Sequence, residues 1–120
     1  MGRVLRLLLV EDHQDSAELL AELLQNHGYS VAVAMSASQA LALAQKQSFD
    51  LVVSDVGLPD ASGYDLMKQL REKHAMKGIA ITGTTGEEAR KKGREAGFGV
   101  QLTKPVSVYR LEQAIAELGV

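Results

Sequence analysis

Cysteine is absent from the 120 residues, which removes disulfides and thiolate chemistry from consideration. There is no long basic run and the formal net charge is −2, so nothing favours nucleic acid as the primary partner. No apolar stretch approaches the roughly 18 residues that a membrane span requires. The start, Met1-Gly2-Arg3, leads into a strand-like run rather than a signal peptide with a small-residue cleavage site. The expectation is a soluble, cytoplasmic chain with no membrane contact of its own; the same reading fits the cytoplasmic part of a membrane-bound sensor. No G-x-G-x-x-G follows any strand-like run, and the phosphate-loop pattern ending in Gly-Lys-Ser/Thr is missing. Repeats, low-complexity tracts and linkers are missing too, and the length suits one domain over 1–120 with its core in 5–118.

What the chain does have is alternation. Short runs rich in Val, Leu and Ile occur near residues 5–10, 30–34, 50–54, 78–82 and 98–102. They lack strict period-two alternation, as strands covered on both faces of a parallel sheet do. Between them lie segments of helical period. Ala17, Leu20, Ala21 and Leu24 share one face; Ala40, Leu41 and Ala44 a second; Leu66, Met67 and Leu70 a third; and Leu111, Ala114, Ile115 and Leu118 a last one. Gly28 is placed to end the first helix in the left-handed conformation. Ser36 with Gln39 forms a capping-box pattern, and Ser107 is placed to cap the final helix. The segment Glu87–Gly97 is the weakest helix and the one expected to move most: it has few large apolar residues, and Gly93 costs it about 1 kcal/mol relative to alanine. Its acids precede its bases, which suits the helix dipole. The order βαβαβαβαβα implies a doubly wound, five-stranded parallel sheet with helices on both faces.

In such a fold ligands bind beyond the carboxyl ends of the strands. Four chemically distinctive groups fall there. Glu11-Asp12 ends the first run. Two adjacent acids buried together repel unless a cation intervenes, and Mg²⁺ takes one or two carboxylates together with phosphate oxygens. The alternative is a loop start that caps the next helix. Asp55 ends the third run and suits a metal ligand, a nucleophile or a solvated turn. In the loop after it, Gly57 lets the backbone approach a ligand and Gly63 frees the chain before the next helix. Thr82 ends the fourth run and precedes Gly83-Thr84-Thr85-Gly86. Its hydroxyl and the following N–H suit phosphoryl oxygens, or else a helix cap. Lys104 follows the fifth run and suits a phosphate as a point charge, though most lone lysines are solvated.

These motifs resemble the receiver domain of two-component response regulators over residues 5–118. The matching pieces are Leu-Val-Glu11-Asp12, Ser54-Asp55-Val-Gly-Leu-Pro59-Asp60-Ala-Ser-Gly63, Ile81-Thr82-Gly83 and Leu-Thr-Lys104-Pro105-Val106. The chemotaxis member of that family is itself an example of the switch-point rule. The resemblance implies the flavodoxin-like fold with strand order 2-1-3-4-5. It implies that Asp55 accepts a phosphoryl group from a phosphohistidine on a histidine kinase or a histidine phosphotransfer domain. Glu11, Asp12, Asp55 and the backbone carbonyl of Gly57 would hold Mg²⁺. Thr82, the N–H of Gly83 and Lys104 would contact phosphoryl oxygens, and the Lys104–Pro105 bond would be cis. Thr82 would move toward the phosphoryl group and bias an existing conformational equilibrium.

One departure stands out. Many such domains carry Tyr or Phe three residues before the lysine, and here that position is Gln101. A coupled aromatic switch is not expected, and a monomer or weak dimer is. No output segment follows the last helix, so the chain reads as the receiver of a hybrid histidine kinase or as a single-domain regulator. The wording around Asp55, Ala-Gly97-Phe98-Gly and Lys104 favours the hybrid kinase. Leu19 and Leu23 lie off the main stripe of the first helix, and with Pro105 and Val106 they suggest an apolar partner patch beside Asp55. Three rivals differ in kind. A pseudo-receiver would not need the intact acid set; a flavodoxin-like binding domain would need a phosphate-binding glycine pattern. An aspartate-nucleophile phosphatase would need Asp-x-Asp, where Asp55 is followed by Val56-Gly57.

Overall fold

A computed structural model describes residues 4–84 and 86–120. Met1, Gly2, Arg3 and the Thr85 of the fourth loop lie outside the described residues. Ten elements follow in order: β1 (Arg6–Val10), α1 (Gln14–Asn26), β2 (Ser30–Ala34), α2 (Ala37–Lys46), β3 (Leu51–Asp55), α3 (Gly63–His74), β4 (Lys77–Thr82), α4 (Glu87–Ala96), β5 (Phe98–Thr103) and α5 (Val108–Leu118). The five strands are all parallel, in order β2-β1-β3-β4-β5. The alternation implied a doubly wound parallel sheet, and this strand order is the one that the resemblance implied. β3 ends on Asp55, so the acid that closes the third run belongs to the strand itself. No helix among the described residues is long and apolar enough to cross a membrane.

The absence of period-two alternation has its explanation in the two cores. Leu8, Val10, Val52 and Ala80 face one way, onto Leu66, Met67, Leu70 and Ala40 of α2 and α3. Leu7, Leu9, Leu51, Val53, Ile79 and Ile81 face the other way, onto Leu24, Leu111 and Ile115 of α1 and α5. Both pleat faces are thus apolar. Each fully buried Leu or Ile side chain contributes roughly 1.5–3 kcal/mol relative to exposure. Leu20, Leu41 and Leu118, read from period alone as core positions, are only half-buried at the margins of these clusters.

Helix ends follow the expected chemistry with two corrections. Gly28 has φ 96° just after α1, and the Ser107 hydroxyl accepts from the Arg110 N–H. Ser36 Oγ likewise accepts from the Gln39 N–H, but Gln39 Oε1 accepts from Met35 rather than returning to Ser36. The vacant N–H groups of α2 go elsewhere: Ala37 and Ser38 donate to the two carboxylate oxygens of Asp60, at 2.9 and 3.0 Å. Asp60 therefore ties the loop after β3 to the start of α2. The second correction concerns Gly63, which has no left-handed backbone. A Cβ there would collide with the Asp55 carbonyl oxygen and come within 2.6 Å of Val56 Cα. Small size, and not conformational freedom, is what this position requires.

The two N–H donors hold the Asp60 carboxyl below the usual carboxylate range. A depressed folded-state pKa adds stability above the unfolded value and loses it as pH falls through the folded one. Asp60→Ala is expected to lower the thermal midpoint at pH 7, with the gap to wild type closing below about pH 4. Melting curves at pH 7 and pH 3 check this; a gap independent of pH would contradict the capping role.

Candidate functional site

Strand register brings the distinctive groups together. Val10 is level with Ser54, so Glu11 and Asp55 come level at the carboxyl edge. Asp55 pairs with Ile81, placing Thr82 one step further, and Thr82 pairs with Thr103, placing Lys104 beyond it. Backbone bonds continue the sheet past the strand ends. Glu11 N–H donates to the Ala34 carbonyl, Val56 to Ile81 and Lys104 to Thr82, at 3.0, 3.1 and 2.8 Å. These groups therefore sit on a hydrogen-bonded extension of the sheet edge. The order of the strands places β1 between β2 and β3, so the chain reverses its winding beside this edge, at the switch point.

Asp55 is 5% exposed, and its carboxylate is divided between two donors. Lys104 Nζ lies 2.6 Å from Oδ2, and the Gly57 N–H donates to Oδ1 at 3.0 Å. Lys104 Nζ is also 3.9 Å from Glu11 Oε2. Pairing with Asp55 raises the lysine's pKa, against a smaller desolvation effect. The Lys104–Pro105 peptide is cis. Thr82 is buried, and its hydroxyl is engaged by Thr84, whose N–H and Oγ1 both lie 3.1 Å away.

Neither Glu11 nor Asp12 is the N-cap of α1, although Glu11 accepts from the N–H of the residue that is. The residue that opens α1 is His13, with no side-chain cap bond. Glu11 turns its Oε1 to the His13 N–H and ring, at 3.1 and 2.9 Å. Asp12 Oδ1 is buried and makes no hydrogen bond among the described residues. A buried oxygen of this kind carries a desolvation cost unless something completes it. Ligand atoms of Glu11, Asp12, His13 and Asp55 all lie within 4.8 Å of one another. This donor set, with its orphaned carboxylate oxygen, fits a divalent cation. His13 is the member that sequence reading missed; its position directly after the acid pair was the only available signal. The Gly57 position is open, since among the described residues a Cβ there would meet only Asp55 Oδ1 at 3.9 Å.

Beside the carboxylates runs a groove of about 470 Å³. Leu19, Leu20, Leu23, Pro105 and Val106 line it, with Lys104 at its polar end. Leu19 is 60% exposed, an unusual degree for leucine. Leu23 and Val106 are half-buried and Pro105 is exposed. Leu20, which the sequence placed in the core stripe, contributes to the groove as well.

On the far side, Gln101 reaches α4. Its Nε2 donates to the Arg90 carbonyl at 2.9 Å, and its side chain covers Gly93, where a Cβ would overlap it. The glycine that weakens α4 by propensity thus leaves room for the Gln101 amide, which a Cβ would displace.

A sequence model of the response regulator receiver domain matches residues 7–116. The chain belongs to that family. As a receiver domain it is 34% identical over 114 residues to an uncharacterised 14.6 kDa protein of Leptolyngbya boryana, covering 92% of this chain and 87% of that one. It is 40% identical over 100 residues to the transcriptional regulatory protein CpxR of Klebsiella pneumoniae, covering 83% and 43%. Over 121 residues it is 33% identical to the virulence sensor protein BvgS of Bordetella pertussis, covering 94% and 10%. Apart from the Leptolyngbya protein, the receiver chain thus spans about half or less of these relatives. Among solved structures, the CheY-like receiver domain of Methanospirillum hungatei superposes with a TM-score of 0.89 at 29% identity, over 97% of this chain and 94% of that one. The chemotaxis protein CheY4 of Vibrio cholerae, crystallised at low pH, gives 0.89 at 28% identity over 95% and 98%.

Proposed function

We propose that residues 5–118 form one phosphoacceptor domain, in which Asp55 takes a phosphoryl group from a phosphohistidine of a histidine kinase or phosphotransfer domain. The observation that carries this reading is the Asp55 carboxylate: buried, paired at 2.6 Å with Lys104, and next to an orphaned buried oxygen of Asp12. Attack by an Asp55 oxygen forms the O–P bond as the donor's P–N bond breaks; the imidazole leaves and recovers its proton from solvent. Lys104 then moves from carboxylate to phosphoryl oxygen, and Thr82 leaves Thr84 to donate its hydroxyl, helped by the Gly83 N–H. Water attack later releases phosphate and restores the carboxylate, so the signal is transient. Glu11, Asp12, Asp55 and the Gly57 carbonyl are the residues to hold Mg²⁺, which when bound neutralises carboxylate and phosphoryl charge. Positioning and charge neutralisation are most of what this transfer needs.

Gln101 is held to α4 by its own hydrogen bond, which supports a switch that runs through Thr82 without an aromatic partner and a monomer or weak dimer. The groove supports docking of the donor on Leu19, Leu23, Pro105 and Val106. We read the domain as cytoplasmic and as part of a hybrid sensor kinase; the similarity to the virulence sensor protein BvgS supports the sensor origin. Onward transfer from Asp55 to the histidine of a phosphotransfer domain supports that origin; its failure, with uptake intact, favours a stand-alone regulator.

The test is phosphoryl transfer from a panel of autophosphorylated histidine kinase and phosphotransfer domains to wild type and Leu19→Glu. Wild type is expected to take label from at least one donor. Leu19→Glu is expected to slow that transfer by about tenfold or more, as loss of an interface anchor does, and to leave uptake from acetyl phosphate unchanged. Equal slowing with both donors would remove the docking role.

A further inference from the structure

The acid set suits a hard cation with oxygen ligands, but the ring nitrogen among it does not. His13 Nδ1 lies 2.9 Å from Glu11 Oε1 and 3.4 Å from Asp12 Oδ1. The ring is 70% exposed as a side chain, yet this nitrogen turns inward to the carboxylates. The second of these neighbours, Asp12 Oδ1, is the buried oxygen without a hydrogen bond among the described residues. All four candidate ligand atoms fit within 4.8 Å. In the free pocket Nδ1–H donates to Glu11 Oε1; an ion bound here takes the place of that proton, and the neutral ring keeps its other proton on Nε2.

We infer that His13 makes this pocket a mixed carboxylate–imidazole site whose preference runs to borderline transition ions such as Ni²⁺, Co²⁺ or Zn²⁺ over Mg²⁺. The inference rests on the proposed cation role of the pocket and deepens it. Carboxylate and carbonyl oxygens suit Mg²⁺, whereas imidazole suits Zn²⁺, Cu²⁺ and Ni²⁺. Mg²⁺ holds its waters firmly and gains little from a nitrogen donor. A Ni²⁺ ion gains a further bond of a kind it favours. His13 is then a specificity-determining residue: it decides which ion fills the acid pocket, while Asp12 decides whether any does.

The experiment is calorimetric titration of untagged protein with Ni²⁺ and with Mg²⁺, for wild type, His13→Ala and Asp12→Asn. His27 and His74 are replaced by glutamine throughout, so that His13 is the single imidazole. His13→Ala is expected to weaken Ni²⁺ at least about tenfold, the lower end of what loss of a residue shaping a metal site costs. Its Mg²⁺ affinity is expected to stay within about twofold of wild type, and Mg²⁺ in excess is expected to displace Ni²⁺. Asp12→Asn is expected to lose both ions. Ni²⁺ affinity unchanged in His13→Ala, or an equal loss of both ions, overturns the role of His13 while leaving the pocket a cation site. Wild type that binds neither ion overturns the inference together with the reading beneath it. A large downfield change at the His13 Nδ1 nitrogen resonance with Zn²⁺, absent with Mg²⁺, is the expected spectroscopic signature.

Discussion

Lys104→Met is expected to slow phosphoryl uptake from acetyl phosphate by about 10²–10³-fold, the usual cost of deleting one preorganised donor to a developing anion. The lysine is the one side-chain cation within hydrogen-bond reach of Asp55 among the described residues. In attack it must release Oδ2 and follow the negative charge onto the phosphoryl oxygens. Methionine keeps the length of the stem and removes the charge. The same change is expected to raise the affinity for divalent cations, because an ammonium close to Asp55 and Glu11 repels any second cation. Rate and ion affinity therefore move in opposite directions, which a merely structural lysine would not produce. Its pairing with Asp55 raises the folded-state pKa of Lys104. A raised lysine contributes stability below its unfolded value and loses it only as pH climbs through the folded one. The stability difference between wild type and Lys104→Met is therefore flat across neutral pH. Rapid-quench mass spectrometry and Mg²⁺ titration measure the two effects; slower uptake together with weaker Mg²⁺ binding would contradict this account.

Gly63→Ala is expected to cost about 1–3 kcal/mol of folding stability, the usual penalty of overpacking, and to impair uptake as well. The added methyl meets backbone on two sides, the Asp55 carbonyl and Val56 Cα, and backbone cannot rotate aside as a side chain can. The Gly63 N–H also donates to the Val56 carbonyl at 2.8 Å, which locks α3 to the end of β3. Any relief must therefore move the strand end that carries Asp55. Gly83→Ala is the control: a Cβ there has nothing within 4 Å among the described residues. Urea midpoints are expected to fall for Gly63→Ala and stay within error for Gly83→Ala. Equal stability of both variants would show that the loop yields more easily than its contacts imply.

Much of this was legible in the order of residues. Runs such as Leu51–Asp55 lack alternation because both sheet faces are covered, and their successive ends place Glu11, Asp55, Thr82 and Lys104 on one edge whatever the side-chain detail. What stayed hidden depends on partners distant in sequence or on the direction of a side chain. Asp60 reads as a turn acid, but its partners are the N–H groups of Ala37 and Ser38 in another element. Gly63 reads as a flexible residue, whereas its constraint is the carbonyl of Asp55 across a tight loop. Gly93 reads as a helix defect until Gln101 is seen lying over it. His13 reads as a solvated histidine, because nothing in the order of residues says that Nδ1 turns back to Glu11. Periodicity placed Leu20 on the core face of α1, where it packs at the margin, but a stripe of helical period does not say where the core ends and an open groove begins.

The central claim is that Asp55 is the acceptor. The most direct measurement is the intact mass of wild type and Asp55→Ala after brief incubation with Mg²⁺ and acetyl phosphate, with a chelator control and a beryllofluoride-binding control for short-lived adducts. The account predicts one added phosphoryl group on wild type, none on Asp55→Ala and none when the cation is chelated. An adduct that persists in Asp55→Ala, or a wild type that gains no phosphoryl group and binds no beryllofluoride, would contradict it.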